Sequence, residues 1–129
     1  LWKKTTSAPS GESMFNHIET DSAGNIYVSG TLYNGVNGDG YVAKYNSNGK
    51  LLNSITVNGD GNKDDEVKGM EVINNILYFV TVGRGSGSFD DATTSAYYCN
   101  DFHFIWSNAV GCIIFNNSAV LSAFLTGMK

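Results

Sequence analysis

The chain has 129 residues, a formal net charge of −4 from eight Lys and Arg against twelve Asp and Glu, 42% hydrophobic residues and a single Pro. This is enough apolar material for one folded unit with a core of ordinary size, and it excludes full disorder. The acidic balance, with no basic cluster beyond Lys3 and Lys4, gives no electrostatic footprint for nucleic acid or anionic membranes.

No apolar run reaches the roughly 18 residues of a membrane helix; residues 110–125 come nearest and are broken by Asn116, Asn117 and Ser118. Neither a nucleic-acid partner nor membrane insertion is expected. The sequence opens on Leu1 without a basic-then-apolar leader, so any targeting signal is expected to have been removed or to lie outside it. Only 16% of residues are charged, and the polar positions are filled by 15 Gly, 15 Asn and 13 Ser. These are turn formers, and frequent turns imply strands.

Apolar residues alternate over short runs, a period of two that predicts strands at 15–20, 25–30, 40–45 and 50–57. They are joined by Asp21-Ser22-Ala23-Gly24, by the Gly-rich stretch 34–40 and by Asn46-Ser47-Asn48-Gly49. Asn48-Gly49 suits a type I′ hairpin, whose two central residues both need positive φ.

The pattern then recurs. Leu1-Trp2-Lys3-Lys4 returns as Leu51-Leu52-Asn53-Ser54 and as Phe104-Ile105-Trp106-Ser107. Ile26-Tyr27-Val28-Ser29 matches Leu77-Tyr78-Phe79-Val80 and Ala123-Phe124-Leu125-Thr126, and Ala43-Lys44-Tyr45-Asn46 is answered by Ala96-Tyr97-Tyr98-Cys99. The units are 1–51, a degenerate 52–104 and a partial 105–129. Four antiparallel strands in about 50 residues is the arithmetic of a propeller blade, so the expected fold class is all-β, with about two and a half four-stranded blades.

Asp21 to Thr31 (DSAGNIYVSGT) and Gly38 to Leu52 (GDGYVAKYNSNGKLL) resemble the bacterial-type seven-bladed β-propeller repeat family. The resemblance is closest in residues 1–57. It implies the propeller fold, while propeller repeats serve many unrelated functions. Two and a half blades cannot close a ring, so the sequence is expected to be an excerpt of a longer chain or to be completed by other copies.

Asp60, Asn62, Asp64 and Glu71 fall at positions 1, 3, 5 and 12 of a calcium-loop pattern. Position 6, which needs Gly for a sharp turn, is Asp65, and the flanks read as strand. The competing reading is a solvated acidic loop entering a strand. Asn37-Gly38-Asp39-Gly40 offers a second set of turn oxygens. Zinc is disfavoured because Cys99, His103, Cys112 and His17 lack paired short spacing. Cys99 and Cys112 are a possible disulfide in a secreted protein, and Asn116-Asn117-Ser118 fits the glycosylation pattern at Asn116.

No activated-nucleophile frame is present. Gly83-Arg84-Gly85-Ser86-Gly87 lacks the Lys-Ser/Thr ending of a phosphate loop. Asp64-Asp65 and Asp90-Asp91 read as solvated loops, and the aromatics Tyr27, Tyr41, Tyr45, Tyr78, Phe79, Tyr97 and Tyr98 as packing between blades, with glycan stacking as the alternative.

The expected function is a non-enzymatic repeat segment of an extracellular or cell-surface protein, a scaffold for protein or glycan contacts. The alternatives are a self-assembling subunit of a ring or filament that contacts copies of itself through exposed blade faces, and part of a polysaccharide-acting hydrolase or lyase. No cofactor is required, calcium being the one candidate.

Overall fold

The computed structural model describes residues 1–4, 13–59, 63–84 and 90–110. Within them the chain is all-β. The strands are β1 (Met14–Thr20), β2 (Ile26–Tyr33), β3 (Gly38–Tyr45), β4 (Leu51–Val57), β5 (Asp65–Ile73), β6 (Ile76–Arg84), β7 (Asp90–Tyr98) and β8 (Phe104–Val110). They form two four-stranded antiparallel sheets, ordered β1-β2-β3-β4 and β5-β6-β7-β8. Within each sheet every strand pairs with its neighbour in sequence, the connection that short turns permit.

The four strands expected in the first unit all form. β2 and β3 run further than their hydrophobic patterns, because Leu32 pairs with Asp39 and Tyr33 with Gly38. Gly38 and Asp39, expected in the loop, therefore lie inside β3. The turn at Asn48-Gly49 also differs from expectation, since only Gly49 has positive φ, at 78°. Its N–H donates to Asn46 O at 2.9 Å, and Asn46 N–H donates to Lys50 O at 2.9 Å. This is a four-residue turn closed by one left-handed residue. The pair with both φ values positive is Asn74 (49°) and Asn75 (64°), which join the paired residues Ile73 and Ile76.

The sheets pack face to face, with β5 lying against β1, β2 and β3. The core between them takes Tyr27 and Val42 from the first sheet and Val67, Met70, Leu77, Phe79 and Cys99 from the second. Tyr97 stacks on Phe79 at 5.5 Å. Full burial of each large apolar side chain contributes about 1.5–3 kcal/mol, so this interface is the main tie between the sheets. The opposite face of the first sheet holds Tyr41, Ala43 and Tyr45 with Val28 and Leu32. The opposite face of the second holds Val80 and Ala92 with Tyr78 and Val82.

Backbone irregularities fall at matching places in the two sheets. β1 carries one extra residue between Phe15 and His17, and β5 carries one between Val67 and Gly69. The third and fourth strands shift register beside Tyr45 in the first sheet and beside Tyr97 in the second, where Leu52 and Ile105 are the extra residues. A bulge is a specific local bend rather than a random defect. Its recurrence aligns Phe15 with Val67, Ile18 with Met70 and Tyr45 with Tyr97.

The sheets divide between Val57 and Asp65. The segments recognised in sequence as unit openings, beginning at Leu51 and Phe104, are thus the fourth strands of the preceding sheets. The remainder of the partial third unit, from residue 111 onward, lies outside the described residues.

Candidate functional site

One end of the two sheets opens into a cleft of about 510 Å³, lined by Thr31, Tyr33, Gly38, Asp64, Glu66 and Lys68 among others. Its floor is fixed by polar bonds between the sheets. The Thr31 hydroxyl donates to Asp65 O at 3.3 Å, and Gly38 N–H donates to Asp64 Oδ1 at 2.9 Å. Asn37 Nδ2 donates to Lys63 O at 2.6 Å.

Asp39 is buried and accepts from Asn34 Nδ2 at 2.9 Å and Asn37 Nδ2 at 3.3 Å. These bonds tie the 34–37 loop to the strand beneath it. Asn37 and Asp39, read from sequence as turn oxygens, therefore satisfy one another.

Asp65 departs from expectation. Read as part of a solvated loop, it is instead the first residue of β5 and only 5% exposed. Gly59 N–H donates to its Oδ2 at 2.7 Å. Burial pushes the Asp65 carboxyl above the usual carboxylate range. The Gly59 bond opposes that shift, while the charges of Asp39 and Asp64 reinforce it. The backbone of Gly83 runs against this carboxylate, and a Cβ there would collide with Asp65 Oδ1.

Beside the cleft a second polar chain crosses from β1 to β5. His17 Nδ1 lies 2.7 Å from Asn16 Oδ1, Asn16 Nδ2 donates to Glu66 Oε1 at 2.8 Å, and Lys68 pairs with Glu66 Oε2. Asn16 and Lys68 are the two bulge residues. Asn16 reaches across from β1 and Lys68 lies two residues along β5 from Glu66, so both meet on one carboxylate. Burial lowers the pKa of His17; Glu66 pulls it back up, and Lys68 adds to the lowering.

Of the calcium-pattern residues, Asp60 and Asn62 lie outside the described residues. Asp64 stands just before β5 and Glu71 well within it. At about 3.3 Å per residue they are separated by roughly 20 Å along the strand, so the structure does not bring these two together. Among the described residues no group of three or more His, Cys, Asp or Glu side chains is placed to hold a metal ion.

Cys99 is a free thiol, 1% exposed; Cys112 and Asn116 lie outside the described residues. Asp90 and Asp91 open β7 rather than occupying a loop. Tyr27, Phe79 and Tyr97 contribute to the packing between sheets, whereas Tyr41 and Tyr45 lie on the first sheet's other face.

The sequence reading weighed His17 only as a zinc ligand and did not single out Glu66 or Lys68. Their signal was the break in alternation at Asn16 and Lys68, which a strict period of two hides.

No protein-family model matches the chain. No curated protein matches it either.

Proposed function

We propose that the two sheets are successive blades of a β-propeller-type scaffold in an extracellular or cell-surface protein, one that contacts protein or glycan through its loop end. What supports the blade reading is the recurrence of strand order and of both register shifts in the two sheets. The cleft supports the contact role, since Tyr33 and Thr31 beside Asp64, Glu66 and Lys68 combine an aromatic face with hydroxyl, carboxylate and ammonium groups.

The test is titration of the isotope-labelled protein with cellulose, chitin, xylan and pectin oligosaccharides, followed by NMR. Binding through this site shifts the amides of Thr31, Tyr33, Gly38 and Lys68 and returns every oligosaccharide uncut. Shortened products would place the chain in a hydrolase or lyase instead. Absence of any shift would remove glycans and leave protein partners.

A second reading, the self-assembling subunit, is favoured by one contrast. Ile18 is 68% exposed, whereas its counterpart Met70 is 6% exposed under the first sheet. Among the described residues the same position thus lacks in the first sheet the cover it has in the second. Loss of native assembly in Ile18→Asp would support this reading.

A further inference from the structure

We propose that the outer edge of β4 is a strand-pairing site for the same edge of a second copy of this chain. Among the described residues β1, β4, β5 and β8 each stand at the edge of a sheet. A free edge presents backbone N–H and C=O groups to any strand that reaches it, and proteins commonly block such edges with charge or Pro. β1 carries His17 and Glu19, and β5 carries Asp65, Glu66, Lys68 and Glu71. β4 is Leu-Leu-Asn-Ser-Ile-Thr-Val, without a charge or a Pro. Leu51 is 44% exposed and Leu52 42% exposed. The bulge at Leu52 bends one end only, and from Asn53 to Val57 the pairing with β3 is regular.

The occupant is a second copy because the strand complements itself. With Ser54 on a twofold axis and the strands antiparallel, all seven residues overlap. Ser54 then faces Ser54, Asn53 faces Ile55, Leu52 faces Thr56 and Leu51 faces Val57 of the partner. No like charges meet, whereas two β5 edges would bring net negative strands together. β8 is also uncharged, but the chain that follows it lies outside the described residues, whereas β4 is described at both ends. A twofold contact uses the same patch on both copies and stops at a dimer. The inference rests on strand order and the composition of β4, independently of the blade reading.

The test combines native mass up to about 1 mM protein, the weak end of measurable association, with cysteine cross-linking in a Cys112→Ser background, where Cys99 is buried. Ser54→Cys sets the two cysteines directly opposite across the axis with Cα atoms about 4.5–5.5 Å apart, within the range of a disulfide. Thr56→Cys sets them four positions out of register, roughly 14 Å along the strand.

The expected result is a concentration-dependent dimer that Ser54→Cys locks covalently on mild oxidation. Thr56→Cys stays unlinked, and Ser54→Lys abolishes the dimer with an unchanged circular dichroism spectrum. A monomer at every concentration overturns the proposal, as does equal cross-linking by both cysteines. Open-ended fibres overturn it too. So does a dimer that survives Ser54→Lys and dissolves with Ile18→Asp, which would move the contact to the face of the first sheet.

Discussion

Gly49 and Phe102 close matching hairpins in the two sheets, and both do so in the left-handed region, at φ 78° and 56°. Gly adopts that conformation freely, whereas a residue with a side chain incurs about 1–2 kcal/mol. What compensates at Phe102 is contact with the core between the sheets, its ring lying 6.3 Å from that of Tyr27. At Gly49 the corresponding space is filled from elsewhere. The Trp2 ring lies 2.6 Å from where a Cβ would stand, and Trp2 Nε1 donates to Ser47 O at 2.8 Å.

Phe102→Gly therefore sets relief of the backbone against loss of apolar burial. Burial of an aromatic ring is worth about 1.5–3 kcal/mol, so the variant is expected to be less stable by about 1 kcal/mol. Gly49→Ala has no compensating gain and must also displace Trp2, at a cost of about 1–3 kcal/mol. Urea midpoints at constant slope measure both. A Phe102→Gly variant more stable than the parent would show that the ring contributes little.

Lys44 is a cation in the interface, 6% exposed. Its Nζ donates to Cys99 O at 2.6 Å and sits 5.6 Å from the centre of the Tyr27 ring. Lys44→Ala leaves that carbonyl unpaired and opens a cavity, and is expected to cost about 2–4 kcal/mol. Lys44→Met keeps the packing and loses the bond, so its loss should be the smaller of the two in thermal unfolding. Equal losses would assign the whole effect to the charge.

Burial raises the pKa of the Cys99 thiol, against the opposing effects of Tyr27 and Lys44. In a Cys112→Ser background a disulfide reagent at pH 8 should label no thiol in the folded protein and one in denaturant. Labelling in the native state, at a rate independent of reagent concentration, would reveal transient separation of the sheets.

Asp21 accepts from Ala23 N–H at 3.0 Å, Asn25 N–H at 2.9 Å, Asn25 Nδ2 at 2.8 Å and the Tyr27 hydroxyl at 2.9 Å. Burial pushes its pKa up, but the bonds together bring it below its ordinary 3.8. A carboxyl whose folded pKa is depressed stabilises the fold above the unfolded value, and that contribution fades as pH falls through the folded one. Asp21→Ala is expected to cost about 1–2 kcal/mol at pH 7 and progressively less below pH 3.8. Unfolding midpoints between pH 2 and 7 should converge at the acid end.

Asp65 has the opposite sign. Its folded pKa is raised above 3.8, so its contribution to stability declines as pH rises from that value through the folded pKa. Asp65→Asn keeps an oxygen for Gly59 N–H and removes the repulsion from Asp39 and Asp64. The variant should be at least as stable as the parent at pH 7, and the difference should vanish in acid. A less stable variant at pH 7 would mean that the Gly59 bond depends on the full charge.

The alternation of apolar residues was sufficient to find the strands of the first unit, and the 51-residue offset between Tyr27 and Tyr78 places those two residues on equivalent faces. The third strand was misread by one residue. Sequence identity matched Ala43-Lys44-Tyr45 to Ala96-Tyr97-Tyr98, whereas the register shifts match Lys44 to Ala96 and Tyr45 to Tyr97.

The cause is one added residue at the second hairpin. Phe102 N–H bonds Tyr98 O, four residues back, where Gly49 N–H bonds Asn46 O, three back. A single-residue slip reverses every side chain in a strand, so the sequence match placed the counterpart of Tyr45 on the wrong face. The polar chain through Asn16, Glu66 and Lys68 was not legible for a related reason. It depends on two bulges whose positions are fixed by pairing partners far away in sequence.

The offset between sequence units and sheets makes the units exchangeable in a particular way. Removing 52–104 as a block would join Leu51 directly to Ile105 and preserve the length of the hairpin after Tyr45. The strand then offered to β3 would be Leu51 followed by Ile105-Trp106-Ser107, with Ile105 taking the bulge place of Leu52. The first sheet would recover a fourth strand drawn from the second. Gain or loss of whole units thus changes the number of sheets without leaving any one of them short of a strand.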